Sequence, residues 1–559
     1  MPYITASRLY DFLQCPHRVW RDIYGPLEEK SEETNPFVRL LWDRGVNHED
    51  AILAKLGDFL NLEEGSIDER FGETMEAMKS KEPLIYQGVL KYDNLLGIPD
   101  ILKRSPDGVY IPIDIKSGAG FDGIDEKEGG AGKPKKHYAV QLCLYGDILK
   151  KLGFADSIRG GIIDIRGSEI EYDLLSPMGG RTTETWLDYY EKTKEQVESL
   201  VNDREKTLPA VCGVCKLCPW HDSCEKWCKE SKDLTTVFCL GRSFRDKINQ
   251  DLLIGGIDDF LNIDVGETMK LKEATKLSGD PFFLRGIGES SLQKSINRAK
   301  ILYQTKKPVI YRPIYFPKTR YELFFDIEDD PTREFVYLHG VYERNGAKER
   351  FRDFCAKEFS AAAEKNAWRD FWEYVKSLPQ NDFSVYYYSA HEETTYKRLQ
   401  KRYSDVITAE ELENFFNNPN VIDLYGIIQK QTDWPSGSYS LKALASYSGF
   451  HWRDETPSGS LSIQWFNDYL ETKNESTLKR ILEYNEDDCK ATMALKDKLE
   501  KMSGKMFPKS SLWRGCYPAT RSDRGKPSSA VARPLLSQQW SCHCWLFLVL
   551  MLLFFQNYN

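Results

Sequence analysis

The sequence lacks a long hydrophobic run. The apolar stretch near its C-terminal end, Trp545–Phe555, has eleven residues, against about 20 for a helix that crosses a bilayer, so no membrane anchor is expected. It also lacks an excess of positive charge: 76 Lys and Arg against 85 Asp and Glu give a net charge of -9. That excludes a protein that coats nucleic acid by bulk positive potential. It leaves room for a local basic groove beside an acidic, metal-binding centre. The opening residues Met1-Pro2-Tyr3-Ile4-Thr5-Ala6 lack the basic stretch and apolar core of an export leader. A reducing, cytoplasmic setting is therefore expected, in which the 13 cysteines read as metal ligands before they read as disulfides. No fixed-period repeat is present.

What is there is a soluble globular balance, 41% hydrophobic and 29% charged, in a chain of 559 residues. That length exceeds one ordinary core and predicts two or three domains. The first fifty residues have helical spacing, with Ser7 as the expected cap before Arg8-Leu9-Tyr10-Asp11-Phe12-Leu13. From Leu84 to Lys116 the pattern becomes an antiparallel meander. Leu84–Tyr92 and Leu95–Leu102 flank the turn Asp93-Asn94, and a second strand pair is joined by Ser105-Pro106-Asp107-Gly108. Gly118–Lys136 reads as a loop and Tyr138–Lys151 as a helix. Residues 1–230 form the first expected domain, 231–315 a helical connector, and 316–503 a second α/β domain. The last opens on the strand Leu323-Phe324-Phe325-Asp326-Ile327 and ends in a long helix beginning near Ser476. From Gly504 the chain carries seven Lys or Arg and one acid, Asp523; this tail, 504–559, is expected to be disordered, an appended or mis-framed end.

Hydrolysing a phosphodiester needs a metal to polarise the phosphate and carboxylates to hold that metal. The meander supplies two by register. With Pro106-Asp107-Gly108 as a three-residue hairpin loop, Asp100 stands opposite Asp114, with Cβ atoms about 5 Å apart, and two such acids can share one Mg²⁺. Lys116 points to the same face as Asp114, where it can orient water or neutralise charge developing on the phosphate.

Gly97-Ile98-Pro99-Asp100, Asp114-Ile115-Lys116-Ser117-Gly118 and Gln141-Leu142-Cys143-Leu144-Tyr145 look like the ordered motifs of RecB-family PD-(D/E)xK nucleases. Upstream, Arg44-Gly45-Val46-Asn47-His48-Glu49 matches the segment that holds a metal-binding histidine in that family. The resemblance spans about residues 5 to 228. It implies that His48, Asp100, Asp114 and the Ile115 carbonyl hold Mg²⁺ or Mn²⁺, that Lys116 is catalytic, and that Gln141 and Tyr145 support the site or the DNA.

Residues 212 to 228 hold five cysteines at ligand-like spacing: Cys212, Cys215, Cys218, Cys224 and Cys228. In the iron–sulfur branch of the RecB-like nucleases one early cysteine joins three late ones in a C-x2-C-x5-C pattern. That pattern falls here on Cys15 with Cys215, Cys218 and Cys224, and implies a structural [4Fe–4S] cluster closing the end of the domain onto its N-terminal helix. The competing reading is structural Zn²⁺ held by Cys212, Cys215, Cys218 and Cys224. Cys143, Cys239, Cys355 and Cys489 read as buried small apolar residues. In the connector, Leu253-Ile254-Gly255-Gly256-Ile257-Asp258 and Leu284-Arg285-Gly286-Ile287-Gly288 faintly resemble helix-hairpin-helix turns, against the plainer reading of Gly-containing turns between helices.

A second acidic centre is predicted downstream. Asp326 and Glu328 lie two apart on one strand face. Tyr484 and Asp488 lie four apart on one helix face. A strand D-x-E with a helical Y-x3-D resembles the DEDD exonucleases of the RNase H-like fold, which hold two divalent ions while the tyrosine positions water. The chain departs from that pattern in the middle motif. There Glu392 is offered in Tyr386-Tyr387-Tyr388-Ser389-Ala390-His391-Glu392, and Asp423 is a later acid.

The expectation is an α/β protein, a restriction-endonuclease-like PD-(D/E)xK domain followed by an RNase H-like domain. It would act as a metal-dependent deoxyribonuclease on single strands or DNA ends. A rival class is a catalytically reduced DNA-end-binding scaffold for a helicase, against which the presence of Lys116 counts. An RNA-directed nuclease is a third reading, since no motif tests for the 2′-OH.

Overall fold

Thr5, not Ser7, caps the first helix. In the computed structural model Ile4–Thr5 is a short strand paired with Leu95 and Leu96, which leaves Thr5 extended (φ -114°, ψ 163°), the conformation an N-cap requires. Its hydroxyl accepts from the Arg8 N–H at 3.2 Å, and Ser7 lies inside the helix Ala6–Gln14. The structure describes residues 2–31, 36–122, 132–179, 182–379 and 382–506. It divides between Thr236 and Val237 into two units.

In the first unit the expected meander splits between two sheets. Gln87 has φ +56°, outside the strand region, and it ends Leu84–Tyr86 before Leu90–Tyr92 can continue it. The hairpin Leu90–Tyr92 and Leu95–Gly97, turning at Asp93 (φ +50°), joins Ile4–Thr5 in a three-stranded sheet. Leu84–Tyr86 stays in a six-stranded sheet, ordered Glu169–Glu171, Gly161–Ile163, Tyr110–Ile115, Ile101–Arg104, Leu84–Tyr86, Leu60–Asn61. Within it Ile101 pairs with Ile113 and Arg104 with Tyr110, the register set by the turn Ser105–Gly108.

The helix Lys136–Leu152 buries an apolar face that includes Tyr138, Leu142, Tyr145 and Leu149. It ends at Gly153, whose φ of +81° is left-handed, a conformation glycine adopts without cost. The predicted loop Gly118–Lys136 contains the short pair Phe121–Asp122 and Lys133–Pro134; its middle, 123–131, lies outside the described residues.

The second unit is built on five strands in the order Lys348–Cys355, Phe335–Asn345, Tyr321–Asp330, Phe383–Tyr387, Val421–Asp423. The first three are antiparallel; the last two run parallel to Tyr321–Asp330. The helix Glu475–Met506 packs on Tyr321–Asp330 and Phe335–Asn345, burying Ile481, Cys489, Leu495 and Leu499. It can approach because residue 340 is glycine. A Cβ there would stand 1.6 Å from Asn485 Oδ1. Gly340 pairs with Asp326, so the closest approach of helix to sheet falls at the acidic motif.

The helical segment expected as a connector counts with this second unit. Arg298, on the helix Glu289–Lys300, makes a buried ion pair with Asp433 at 2.7 Å, and Val309–Ile310 pairs with Thr432–Asp433. Both glycine-containing turns lie between helices. Leu253 follows Arg242–Leu252 with φ +53°, and Gly288 caps Glu289–Lys300. Two expectations about cysteines need correcting. Cys143 and Cys489 are buried, but Cys239 is exposed and Cys355 half-buried, because Cys239 sits at φ +62° outside any strand or helix and Cys355 ends an edge strand. The long helix runs three residues past 503, and the tail from 507 lies outside the described residues. No helix among the described residues is long and apolar enough to cross a membrane.

Candidate active sites

In the first unit Asp100 precedes the strand Ile101–Arg104 and Asp114 lies within Tyr110–Ile115. They meet one step beyond the last paired residues of that ladder. The Asp100 N–H donates to Asp114 Oδ1 at 3.3 Å, and the Ile115 N–H donates to Asp100 Oδ2 at 2.7 Å. Lys116 Nζ closes the group, 2.9 Å from Asp114 Oδ2, with both side chains buried. The two facing acids and the lysine predicted from register are thus together. Burial, then the charges of Asp114 and Glu49, hold the Asp100 carboxyl well above its ordinary range.

Glu49 and Gln87 were not foreseen here. Gln87 Nε2 donates to Asp100 Oδ1 at 3.2 Å and to Glu49 Oε1 at 3.4 Å, so it bridges the two acids. Tyr86 donates to the same Glu49 oxygen at 3.0 Å. Burial above all raises Glu49. The one available signal was its place beside His48. His48 itself turns elsewhere, its Nε2 lying 3.2 Å from the Asp164 carbonyl, and it forms no ligand trio with Asp100 and Asp114. Gln141 Nε2 donates to the Tyr145 hydroxyl at 2.8 Å, which donates to the Ile98 carbonyl at 3.2 Å. These two residues therefore hold the turn that delivers Asp100. Gly97 makes room for them, since a Cβ there would meet the Tyr145 ring at 2.5 Å.

The cysteine segment lies against the N-terminal helices. Trp220, fully buried, donates to Asp22 at 2.9 Å, Arg21 stacks on its ring at 4.4 Å, and His17 Nδ1 lies 2.9 Å from the Thr207 hydroxyl. Cys15 is thereby brought beside Cys215 and Cys218. A hydrogen bond from Cys212, then burial, raises the Cys215 thiol, with Cys15 adding to it. Burial pushes Cys218 up to about 11, and Cys15 and Cys224 add to that. Cys212 and Cys215 sulfurs are 3.3 Å apart, yet among the described residues no three cysteine sulfurs lie within 4.8 Å of one another.

In the second unit Asp326, Glu328 and Asp488 offer oxygens that all lie within 4.8 Å of one another. This is the one such trio among the described residues. The strand sets the first two on one face and the helix brings the third. Burial raises all three; repulsion from Asp488 and Glu328 adds to it at Asp326, which stands well above its usual range, repulsion from Asp488 adds to it at Glu328, which reaches about 8, and at Asp488 the added repulsion comes from Asp487. Asn485 Nδ2 donates to Asp326 Oδ2 at 2.8 Å and to Glu328 Oε1 at 3.3 Å. Trp452 Nε1 donates to Asp488 Oδ1 at 2.7 Å. Lys442 Nζ donates to the Tyr484 hydroxyl at 2.7 Å, and Tyr484 also hydrogen-bonds Asp488. Asn485, Trp452 and Lys442 were not predicted.

The middle motif resolves into two different roles. Glu392 is buried, and its charge reaches Asp326. Burial raises its carboxyl to about 7. Asp423 instead faces backbone. The Ser389 N–H donates to it at 3.1 Å, and the amides of Tyr425 and Gly426 also hold its charge, so it fixes the turn that leads into Glu392. Beside that turn His391 pairs with Asp329 at 3.0 Å.

Three carboxylates within 4.8 Å of one another, Glu328 and Asp488 buried and Asp326 half-buried, are what a divalent cation would relieve, and their hard oxygens suit Mg²⁺ or Mn²⁺. Comparison with known families gives two matches: the PD-(D/E)XK nuclease superfamily over residues 14–225 and the RNase H superfamily over residues 323–500. No curated protein and no solved structure gives a significant match. The chain carries one domain of each superfamily, and the pair supports a nuclease that hydrolyses nucleic acid.

Proposed function

We propose that this chain, in which a PD-(D/E)XK domain precedes an RNase H superfamily domain, is a Mg²⁺- or Mn²⁺-dependent deoxyribonuclease with two centres. The observation that carries the reading is the trio Asp326, Glu328 and Asp488, within 4.8 Å of one another and charged at a cost that a divalent cation would relieve. By the resemblance to DEDD exonucleases, this centre trims single strands from 3′ ends. Glu392, whose charge reaches Asp326, serves as the fourth acid, and Tyr484 places the attacking water. A bound divalent ion would supply positive charge to the phosphate and lower the pKa of water.

In the front half Asp100 and Asp114 would hold the ion, and Lys116 would neutralise charge developing on the phosphate. Lys116 already pairs with Asp114, so binding an ion there requires that pair to loosen. Gln141 and Tyr145 position the Asp100 turn. DNA in place of RNA rests on the resemblance to RecB-like nucleases.

Cys15, Cys215, Cys218 and Cys224 are proposed to hold a [4Fe–4S] cluster with a structural role, in a cytoplasm that keeps thiols reduced. Tetrahedral zinc, with Zn–S near 2.3 Å, needs sulfurs about 3.8 Å apart. The Cys212 and Cys215 sulfurs, 3.3 Å apart, are close enough for zinc, so the choice of the cluster rests on Cys15 and on the resemblance to the iron–sulfur branch.

The test compares wild type, Asp114→Ala and Asp488→Ala on labelled single- and double-stranded DNA and RNA with Mg²⁺ or Mn²⁺. Loss of 3′ trimming in Asp488→Ala and of the remaining cleavage in Asp114→Ala is expected. Cleavage unchanged in both would sink the reading, and loss in Asp114→Ala alone would leave the rear domain a scaffold. Protein purified without air should be brown and bleach on exposure; a colourless, zinc-containing protein refutes the cluster.

A further inference from the structure

The rear centre contains a cation that belongs to neither acidic motif. The helix Leu441–Tyr447 starts at Ser440, whose hydroxyl accepts from the Ala443 N–H at 3.3 Å. It carries Lys442 to the carboxylates. The ammonium lies 2.7 Å from the Tyr484 oxygen and 4.8 Å from the centre of that ring. An ammonium can only donate, so the phenol oxygen is the acceptor there and its own proton must be given elsewhere. Asp488 receives it, and Trp452 holds Asp488 Oδ1 from the other side at 2.7 Å. The resulting order, Lys442 to Tyr484 to Asp488, gives the phenol one orientation. Through the phenol the ammonium stands one hydrogen-bonded oxygen away from Asp488, whose carboxylate meets those of Asp326 and Glu328 within 4.8 Å.

We propose that Lys442 is a positioning residue of the rear centre: it fixes the Tyr484 phenol for the attacking water and balances part of the carboxylate charge. It therefore weakens cation binding while it speeds cleavage. The inference rests on the nuclease reading of this centre, and it separates cleanly from a packing role. A lysine that only filled space would, on removal, loosen the site and lower metal affinity and rate together. A charge-balancing lysine moves them in opposite directions, because a unit charge near a divalent ion repels it by about 1 kcal/mol even when well screened, about fivefold in affinity.

The experiment uses the full chain carrying Asp114→Asn, so that the front centre does not dominate either readout. Mn²⁺ is titrated calorimetrically, and 3′ trimming of a labelled single strand is timed, for this background and with K442M, K442R, Y484F or D488N added. K442M should bind Mn²⁺ roughly fivefold more tightly and trim at least tenfold more slowly. K442R should return metal affinity to the background value, and K442M with Y484F together should be no slower than the worse single variant. Weaker or unchanged Mn²⁺ binding in K442M at an unaltered melting temperature overturns the charge-balancing role. Unchanged trimming overturns the positioning role. Background-level trimming in D488N would instead sink the nuclease reading of the centre, and the Mn²⁺ titration would still decide the place of Lys442.

Discussion

Replacing Glu328 by glutamine should make the metal-free protein more stable and inactive at its rear centre. Glu328 is buried, and burial, then Asp488, push its carboxyl from 4.5 to about 8. The folded state therefore prefers the proton more than the unfolded chain does. Such a group costs nothing below about pH 4.5. Its cost grows as pH rises and is complete above about pH 8. At pH 7 the difference is on the order of 3 kcal/mol, taking about 1.4 kcal/mol per pH unit. The amide removes that cost and keeps an oxygen for Asn485 Nδ2, now 3.3 Å from Oε1. For a unit of this size, a few kcal/mol corresponds to roughly 5–10 °C. The assay is thermal unfolding in EDTA from pH 5.5 to 8.5, repeated with saturating Mn²⁺. Wild type should lose stability across that range more steeply than Glu328→Gln, and Mn²⁺ should raise wild type far more than the variant. If Glu328→Gln melts no higher than wild type in EDTA at pH 7.5, the carboxylates are not in the repulsion that the cation site requires.

Two further outcomes follow from steric and charge arguments. Gly340→Ala would place a Cβ 1.6 Å from Asn485 Oδ1; separating helix from strand should cost about 1–3 kcal/mol and reduce 3′ trimming at least tenfold, measured by melting and by timed digestion, with front-centre cleavage as the internal control. Lys135 is buried at the start of the helix Lys136–Leu152, where its ammonium lies 5.2 Å from the Tyr138 ring and feels the Asp122 charge but has no hydrogen-bond acceptor among the described residues, so Lys135→Met should stabilise the protein by about 1 kcal/mol in denaturant unfolding; destabilisation would show that ring and acid outweigh the burial of the charge.

What could be read from the sequence was what short-range geometry dictates. The turn Ser105–Gly108 fixes the hairpin register, so the approach of Asp100 to Asp114 was legible fourteen residues apart. The two-residue strand spacing of Asp326 and Glu328, and the four-residue helix spacing of Tyr484 and Asp488, were legible for the same reason. The residues that tune these groups were not. Gln87 bridges Glu49 and Asp100 from a left-handed conformation that breaks a strand, and its β-like neighbours gave no sign of it. Lys442 and Trp452 reach the rear centre from segments about 40 residues before Tyr484 and Asp488, the residues they touch. Gly340 carries no side chain, so only the packed helix shows why it is glycine. The middle motif stayed ambiguous because its two acids divide the work. Glu392 is aimed inward, and Asp423 is spent on backbone amides.

The two centres handle the same electrostatic problem differently, and the difference bears on how each would respond to a divalent ion. In the front unit the charge of Asp114 is met by its own lysine at 2.9 Å, so an incoming ion must compete with Lys116 for the same oxygen. In the rear unit Lys442 is tied to the tyrosine, and the three carboxylates face one another with Asn485 and Trp452 as neutral donors. Neutral donors soften the repulsion without cancelling it, because they carry dipoles and no net charge. Metal demand should therefore differ: Lys442 opposes the rear ion only from behind the phenol, so the rear centre saturates at lower ion concentration, while the front centre, where Lys116 holds a ligand oxygen itself, needs more. Chelation should silence 3′ trimming and front-centre cleavage alike, but on restoring Mn²⁺ stepwise, trimming should return first. The reverse order would mean that the Lys116–Asp114 pair does not outlast the arrival of the ion, and that the resting ion pair says little about the working state of the front centre.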